Sequence, residues 1–463
     1  MTSPLWTASE IAAATSGHAN TDFTATGVTF DSREVGAGDL FLALTGEETD
    51  GHRFIDGAFA NGATGAVVSR DVTHPAVRVA DTMAALEDLG RAARGRVDAT
   101  IIGVTGSVGK TGTKEALAAA LDRTMPGRVH WSVKSYNNHT GVPLSLARMP
   151  RDTRFGVFEM GMNHAGELAK LTRMVRPHIA IVTAIAPAHT AFFSGEEAIA
   201  DAKGEIFQGL EPGGTAIVTF DSPHRDRLLA AARPHAGRIV TFGSGEGADV
   251  RAIEAMRVAS GGTFVTARVR NRELSFTVAH PGAHWVSNAL AVLAAVDAAG
   301  GDLGRAGLAL ADMGGLPGRG LRFAVPVAGG EALVIDESYN ANPSSMRATL
   351  AVLALEGHRR IAVLGGMREL GDDSAAYHAA LADPIDEAGI SHAILVGAEM
   401  LPLARALEGR VDFVHVPDAA TARDRLNDVL APGDAVLIKG SNGIGLSAVV
   451  AALRTPIAAG AGD

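Results

Sequence analysis

At 463 residues the chain has room for about three domains of roughly 150 residues each. Its 41 basic and 51 acidic residues leave a net charge of −10, which speaks against a broad nucleic-acid-binding face while allowing a local phosphate pocket. Hydrophobic residues make up 47 % and cysteine is absent, so the chain is of folded composition and disulfides, thiolate metal sites and cysteine nucleophiles are excluded. The opening MTSPLWTASEIAAATSG has no basic start followed by an apolar run, so no secretion signal is expected. No stretch approaches the roughly 18 unbroken apolar residues of a spanning helix. The expectation is a soluble cytoplasmic protein, without membrane insertion or nucleic-acid partners.

In chain order, residues 1–98 read as a small α/β unit, with strands at Gly38–Leu44 and Gly65–Val68 and a helix at Ala84–Arg94. A boundary near 98 precedes the apolar strand Thr100–Val104. Through 99–315 strands and helices alternate, with strands at Phe155–Glu159, Ile179–Thr183 and Thr215–Phe220, which favours a mostly parallel sheet between helices. Thr263–Arg270 and Glu273–Ala279 read as a hairpin turning at Asn271-Arg272, followed by a buried helix over Val286–Ala299. Gly314–Gly320 (GGLPGRG) is the strongest linker signal. A third unit, 316–463, has strands at Leu333–Ile335, Ile361–Leu364, Ala393–Val396 and Ala435–Ile438. The fold class is therefore α/β, in three α/β domains.

The densest motif is Thr105-Gly106-Ser107-Val108-Gly109-Lys110-Thr111-Gly112, between a strand and a helix-like run. That placement turns backbone N–H groups and a helix N-terminus toward phosphate oxygens. Lys110 would reach the β/γ-phosphates of ATP and the Thr111 hydroxyl would bind Mg²⁺. The pattern is not a full Walker A motif, since Val104 stands at its first glycine. The plainer reading is a tight turn that happens to contain Gly-Lys-Thr.

This loop resembles the TGxxGKT of the Mur ligases of bacterial cell-wall synthesis. Tyr136-Asn137-Asn138 with Gly141-Val142-Pro143, Glu159 to His164, and Ala202-Lys203-Gly204-Glu205-Ile206-Phe207 resemble other segments of that family. Ser338-Tyr339-Asn340-Ala341-Asn342-Pro343 is similar to its MurF branch, and the amino-acid motif of the MurE branch is missing. The resemblance implies a Rossmann-like third domain and a central P-loop-type ATPase domain. It also implies the domain roles: UDP-substrate binding in 1–98, ATP binding in 99–315, amine-substrate binding in 316–463.

The implied reaction joins D-alanyl-D-alanine to UDP-N-acetylmuramoyl-tripeptide with ATP, through an acyl phosphate. Both steps crowd negative charge, so cations and N–H dipoles carry the catalysis. The resemblance puts two Mg²⁺ ions on Thr111, Glu159, His189 and a carbamylated Lys203, with Lys110 and Arg319 as catalytic cations. It gives the nucleotide Gly106 to Gly112, Asn288, Arg319, Asp336, Asn340 and Asn342. It gives the UDP substrate Ser32, Arg33, Gly46 and His52, and adds Asn137 and Asn138. The sequence departs from the family pattern at Trp285, Gly366 and Asn442. On this reading the chain works as a monomer. A folylpolyglutamate synthase-like ligase and a non-catalytic nucleotide switch are the alternatives.

Overall fold

The computed structural model describes residues 4–46, 49–187, 190–259, 261–357 and 359–454. Three main sheets form along the chain. The first has five strands in the spatial order His18–Ala19, Ala76–Arg78, Gly65–Val68, Asp39–Leu42, Gly27–Thr29. All of its pairings are parallel except that of His18–Ala19. Helix Thr82–Gly95 packs on it, and Asp81 caps that helix by accepting from the Met83 and Ala84 N–H groups at 2.7 and 3.1 Å.

The central sheet has nine strands. Across it run Arg272–Val278, Thr263–Val269, Val250–Arg257, Arg238–Gly243, Thr215–Thr219, Ile179–Val182, Thr100–Thr105, Phe155–Glu159 and Val129–Trp131. The seven from Val250–Arg257 onward are parallel, and the hairpin is antiparallel. Thr100–Thr105 reads TIIGVT, with all but its first residue buried, as suits an inner strand covered on both faces. After it the chain runs first to one side of the sheet and then to the other. Its carboxyl end is therefore the switch point at which open α/β sheets bind ligands.

The third sheet runs Leu321–Val327, Gly330–Glu337, Asp434–Lys439, Arg359–Gly365, His392–Val396, Phe413–Val416. Only its first pair is antiparallel. Among the described residues no helix is long and apolar enough to cross a membrane.

Some elements differ from the sequence reading. Val269 pairs with Arg272, so the hairpin turns at Arg270-Asn271, one residue early, and Arg270 takes φ 54°. Val250–Arg257 is a strand although most of it is solvent-facing, and a bulge between Ala252 and Glu254 breaks its alternation. Leu321–Val327 follows the linker directly; Pro326 disguises it, and is tolerated because the strand lies at the sheet edge.

Candidate active site

The phosphate loop leaves Thr100–Thr105 and enters helix Lys110–Thr124. Gly106 has φ 152°, and a Cβ there would stand 1.9 Å from Thr183 Oγ1. Gly109 precedes the helix at φ 85°, and its missing Cβ would stand 2.5 Å from Asn288 Oδ1. Both glycines therefore meet a steric demand as well as a conformational one. The neighbouring strand end pins the loop: Ser107 N–H donates to the Ala184 carbonyl at 2.7 Å and Thr183 Oγ1 to the Val108 carbonyl at 2.6 Å. Lys110 folds its ammonium back onto the Gly106 carbonyl at 2.7 Å. Surrounding protein pushes the Lys110 ammonium down, Glu159 opposes the shift and Arg319 adds to it.

Glu159 ends the adjacent strand with 1 % of its surface exposed. Its two oxygens accept from the Thr111 hydroxyl at 2.8 Å and the Asn137 amide at 2.7 Å. Both donors are neutral, and among the described residues no ion pair reaches this buried carboxylate. Lys203, on helix Glu196–Gly204, is 1 % exposed, and among the described residues no hydrogen bond or ion pair holds its ammonium. Burial, and then the charge of Lys110, push Lys203 well below the ordinary lysine range. His189 lies outside the described residues. Among those described, no group of three or more His, Asp or Glu forms a ready metal cage.

The linker brings Arg319 to this edge. Its guanidinium stacks 4.2 Å from the Tyr339 ring centroid and donates to Ser135 Oγ at 3.0 Å. Asp336 is buried and organises the turn, accepting from the Gly318 N–H at 2.7 Å and from the Ser338 hydroxyl at 2.6 Å. Asn342 caps helix Pro343–Leu353 through a reciprocal pair with Ser345. Asn340 is exposed, its carbonyl accepting from buried Lys439 at 3.0 Å. Lys439 also faces Glu337 at 3.5 Å; burial pushes the lysine down and the carboxyl up, each opposed by its partner. Asp336 and Asn342 thus have side chains committed to the fold, whereas Asn288 and Arg319 border the phosphate loop and the linker.

Two of the three departures from the family pattern, Trp285 and Gly366, have local explanations; nothing in the structure explains Asn442. Trp285 is buried under the loop, where a Cβ on Gly112 would touch its ring at 3.1 Å, and it packs 4.5 Å from the His280 ring. At Gly366 the space for a side chain is bounded by Glu399, 3.0 Å from the missing Cβ. Beyond Asn442, the Arg368 guanidinium fills the space beside Gly443, 2.5 Å from a Cβ built there.

In the first unit Arg33 pairs with Asp31 at 2.6 Å and leaves 86 % of its side chain exposed, free to meet a ligand. Ser32 gives its carbonyl to Asn61 at 2.9 Å, and Gly46 N–H bonds the Thr49 carbonyl at 2.9 Å. His52 is otherwise engaged: one ring nitrogen accepts from the Ser69 N–H at 2.9 Å, so the other, 2.6 Å from Asp50, carries the proton. Asn138 accepts from the Gly141 N–H at 2.9 Å and shapes the start of helix Gly141–Ala147.

Sequence reasoning missed Ser135, the partner of Arg319, and Lys114, whose buried ammonium holds the carbonyls of Ser132 and Lys134 at 2.6 and 2.8 Å. Lys114 stands one helical turn beyond Lys110, a spacing that could have drawn attention to it.

Three family models match the chain: the Mur ligase family catalytic domain over residues 24–120, the Mur ligase middle domain over 104–296, and the Mur ligase glutamate ligase domain over 321–442. The UDP-N-acetylmuramoyl-tripeptide–D-alanyl-D-alanine ligase of Escherichia coli K12 is 34 % identical over 437 residues, 94 % of each chain. A crystal structure of MurF from Acinetobacter baumannii superposes with a TM-score of 0.84 at 32 % identity, covering 97 % of this chain and 99 % of that one. MurF from Thermotoga maritima, in complex with ADP, superposes at 0.77 with 25 % identity over 92 % of this chain and 96 % of its own. Matched along nearly its whole length, the chain belongs to the Mur ligase family, on its MurF branch.

Proposed function

We propose that the chain joins D-alanyl-D-alanine to UDP-N-acetylmuramoyl-tripeptide in the cytoplasm, with ATP converted to ADP and phosphate, giving the pentapeptide precursor of peptidoglycan. The substrate carboxylate attacks the γ-phosphorus and ADP leaves. The dipeptide amine then attacks the acyl phosphate, and the tetrahedral state collapses with loss of phosphate and a proton. The observation that carries this reading is the shared edge on which Lys110, Thr111, Glu159 and Arg319 meet, at the sheet's switch point.

The chain's own groups have separable tasks. Loop N–H groups and Lys110 would hold the β/γ-phosphates, releasing Lys110 from the Gly106 carbonyl it now contacts. Arg319, held by Tyr339 and Ser135, would meet the γ-phosphate from the linker side, where a planar fork suits phosphate. Glu159 fits a divalent cation, being a buried carboxylate with only neutral donors on it. Lys203 as an ammonium does not fit beside a cation, but as a carbamate it would offer oxygens, and its burial favours the uncharged amine that CO₂ needs. Thr111, Glu159, His189 and carbamylated Lys203 are the residues proposed to hold two Mg²⁺ ions. When bound, the ions would neutralise charge on the phosphate oxygens. The UDP part would lie on the first unit at Ser32 and Arg33, while the geometry favours a structural task for His52.

A phosphate-release assay tests the reading. Release should require both UDP-N-acetylmuramoyl-tripeptide and D-alanyl-D-alanine and should match pentapeptide formed one to one. Release that ignores the dipeptide, or that responds to a folate and glutamate, would reject it.

A further inference from the structure

The loop from Ser132 to Asn138 meets side chains from all three units: Glu34 of the first, Lys114 and Glu159 of the central one, and Arg319 at the start of the third. From inside, Lys114 holds it: this wholly buried ammonium donates to the carbonyls of Ser132 and Lys134 and pairs with Glu115 at 2.7 Å. From the first unit, Glu34 reaches across to the Lys134 ammonium and accepts from the Tyr136 hydroxyl at 3.3 Å. These two residues flank Ser135, which holds Arg319. Two residues on, Asn137 holds Glu159, and the Ser132 hydroxyl accepts from the Glu159 N–H at 3.3 Å. Lys134 itself sits at φ 52°, a conformation that costs a non-glycine residue energy and persists only where its surroundings impose it. Lys114 and Glu34 are what impose it here.

Resting on the ligase reading above, we propose that Glu34 and Lys114 are positioning residues for phosphoryl transfer. Together they hold the 132–138 loop so that Ser135 presents itself to Arg319 and Asn137 to Glu159. Glu34 is a neighbour of Arg33 on the unit that would carry the UDP group. Substrate bound there would fix the Glu34 backbone, and through Lys134 and Tyr136 would fix Ser135. The loop thereby makes nucleotide binding and UDP-substrate binding favour each other, and such coupling must be equal in both directions.

The test measures that coupling. Calorimetry would give the dissociation constant of a non-hydrolysable ATP analogue with and without saturating UDP-N-acetylmuramoyl-tripeptide. The wild-type chain should bind the analogue about tenfold more tightly in its presence, within the usual range of coupling between sites. Glu34→Ala, Lys134→Ala and the double variant should each reduce that ratio to near one. The double should do no more than either single, and melting temperatures should hold, because the ion pair is solvent-exposed. Ser135→Ala should lower kcat while leaving the affinity for the UDP substrate unchanged. Lys114→Met offers a second probe if it folds; the exposed variants suffice if it does not. A wild-type ratio of one, or a Glu34→Ala variant that keeps the full ratio, would overturn the inference even if ligation proceeds normally. Absence of any UDP-substrate binding or ligation in the wild type would instead sink the functional reading.

Discussion

Replacing Gly109 by alanine tests whether the 106–112 loop is built for phosphate as the geometry indicates. Two penalties arise. The left-handed φ of 85° costs an L-residue about 1–2 kcal/mol. The new methyl carbon would stand 2.5 Å from Asn288 Oδ1 and 3.3 Å from its Cγ and Nδ2, so Asn288 must leave its rotamer. That displacement adds about 0.5–1.5 kcal/mol. The sum is about 1.5–3.5 kcal/mol, which for a unit the size of the central one lowers Tm by about 3–14 °C. The two penalties separate in a double-mutant cycle with Asn288→Ala, which should return the clash component of about 1 kcal/mol and leave the φ component in place. Thermal unfolding followed by circular dichroism reads the stability, and nucleotide titration reads the loop. Affinity for ATP should fall at least about tenfold, because the N–H groups that face the phosphates turn with the backbone. A Gly109→Ala variant with unchanged Tm and unchanged nucleotide affinity would refute the loop reading. A cycle with no interaction energy would refute the contact with Asn288.

Lys110→Ala should abolish ATP-dependent ligation with an unchanged circular-dichroism spectrum; retained turnover would remove Lys110 from the phosphate site. Lys203→Ala should be nearly inactive yet no less stable, since it deletes a buried ammonium for which no partner is found among the described residues. Bicarbonate or a short carboxylic acid should partly restore it by refilling the anion position, whereas Lys203→Arg should not respond; a fully active Lys203→Ala enzyme would reduce the residue to packing. Arg33→Ala should weaken binding of UDP-N-acetylmuramoyl-tripeptide in calorimetry with little change in Tm, because its side chain is 86 % exposed; an unaltered dissociation constant would dismiss it as a contact.

The parts legible in the sequence are those where one short segment carries both the pattern and the chemistry. Thr100 to Thr111 announces itself because an apolar inner strand, two glycines and a lysine are contiguous. Ser135 could not be read that way, since its partner Arg319 is 184 residues away and only folding joins them. Strand Val250–Arg257 was hidden because its outward residues include Ile253 and Met256 among charges, so alternation fails on the exposed face. His52 shows the converse case: a motif match points to a ligand contact, and in the fold both of its ring nitrogens also have partners within the chain. Asn342 and Asp336 likewise engage the turn that their motif fixes, so the same side chains that make it recognisable also build it.

The polar contacts between the central and third units are individually weak, which fits the chemistry proposed for them. They include Arg319 to Ser135, the Thr190 hydroxyl to the Leu370 carbonyl at 3.0 Å, the Ala191 N–H to the Glu369 carbonyl at 3.1 Å, and Arg257 to Glu356 at 2.7 Å. Each such contact contributes on the order of 1 kcal/mol, so none of them by itself would hold the interface shut against release of product. An acyl phosphate must be kept from water while the amine arrives, so the same interface has to close when ligands are present. The free energy for closing is available only where a ligand meets both sides. Lys110 and Arg319 meet that condition, since one charge lies at the loop and the other on the linker; burial is the main cause that pushes the Lys110 ammonium down, and the charge of Arg319 adds to it. Two cations held this near each other repel until a polyanion comes between them. The repulsion becomes attraction once γ-phosphate is bound, so nucleotide itself would draw the third unit onto the central one.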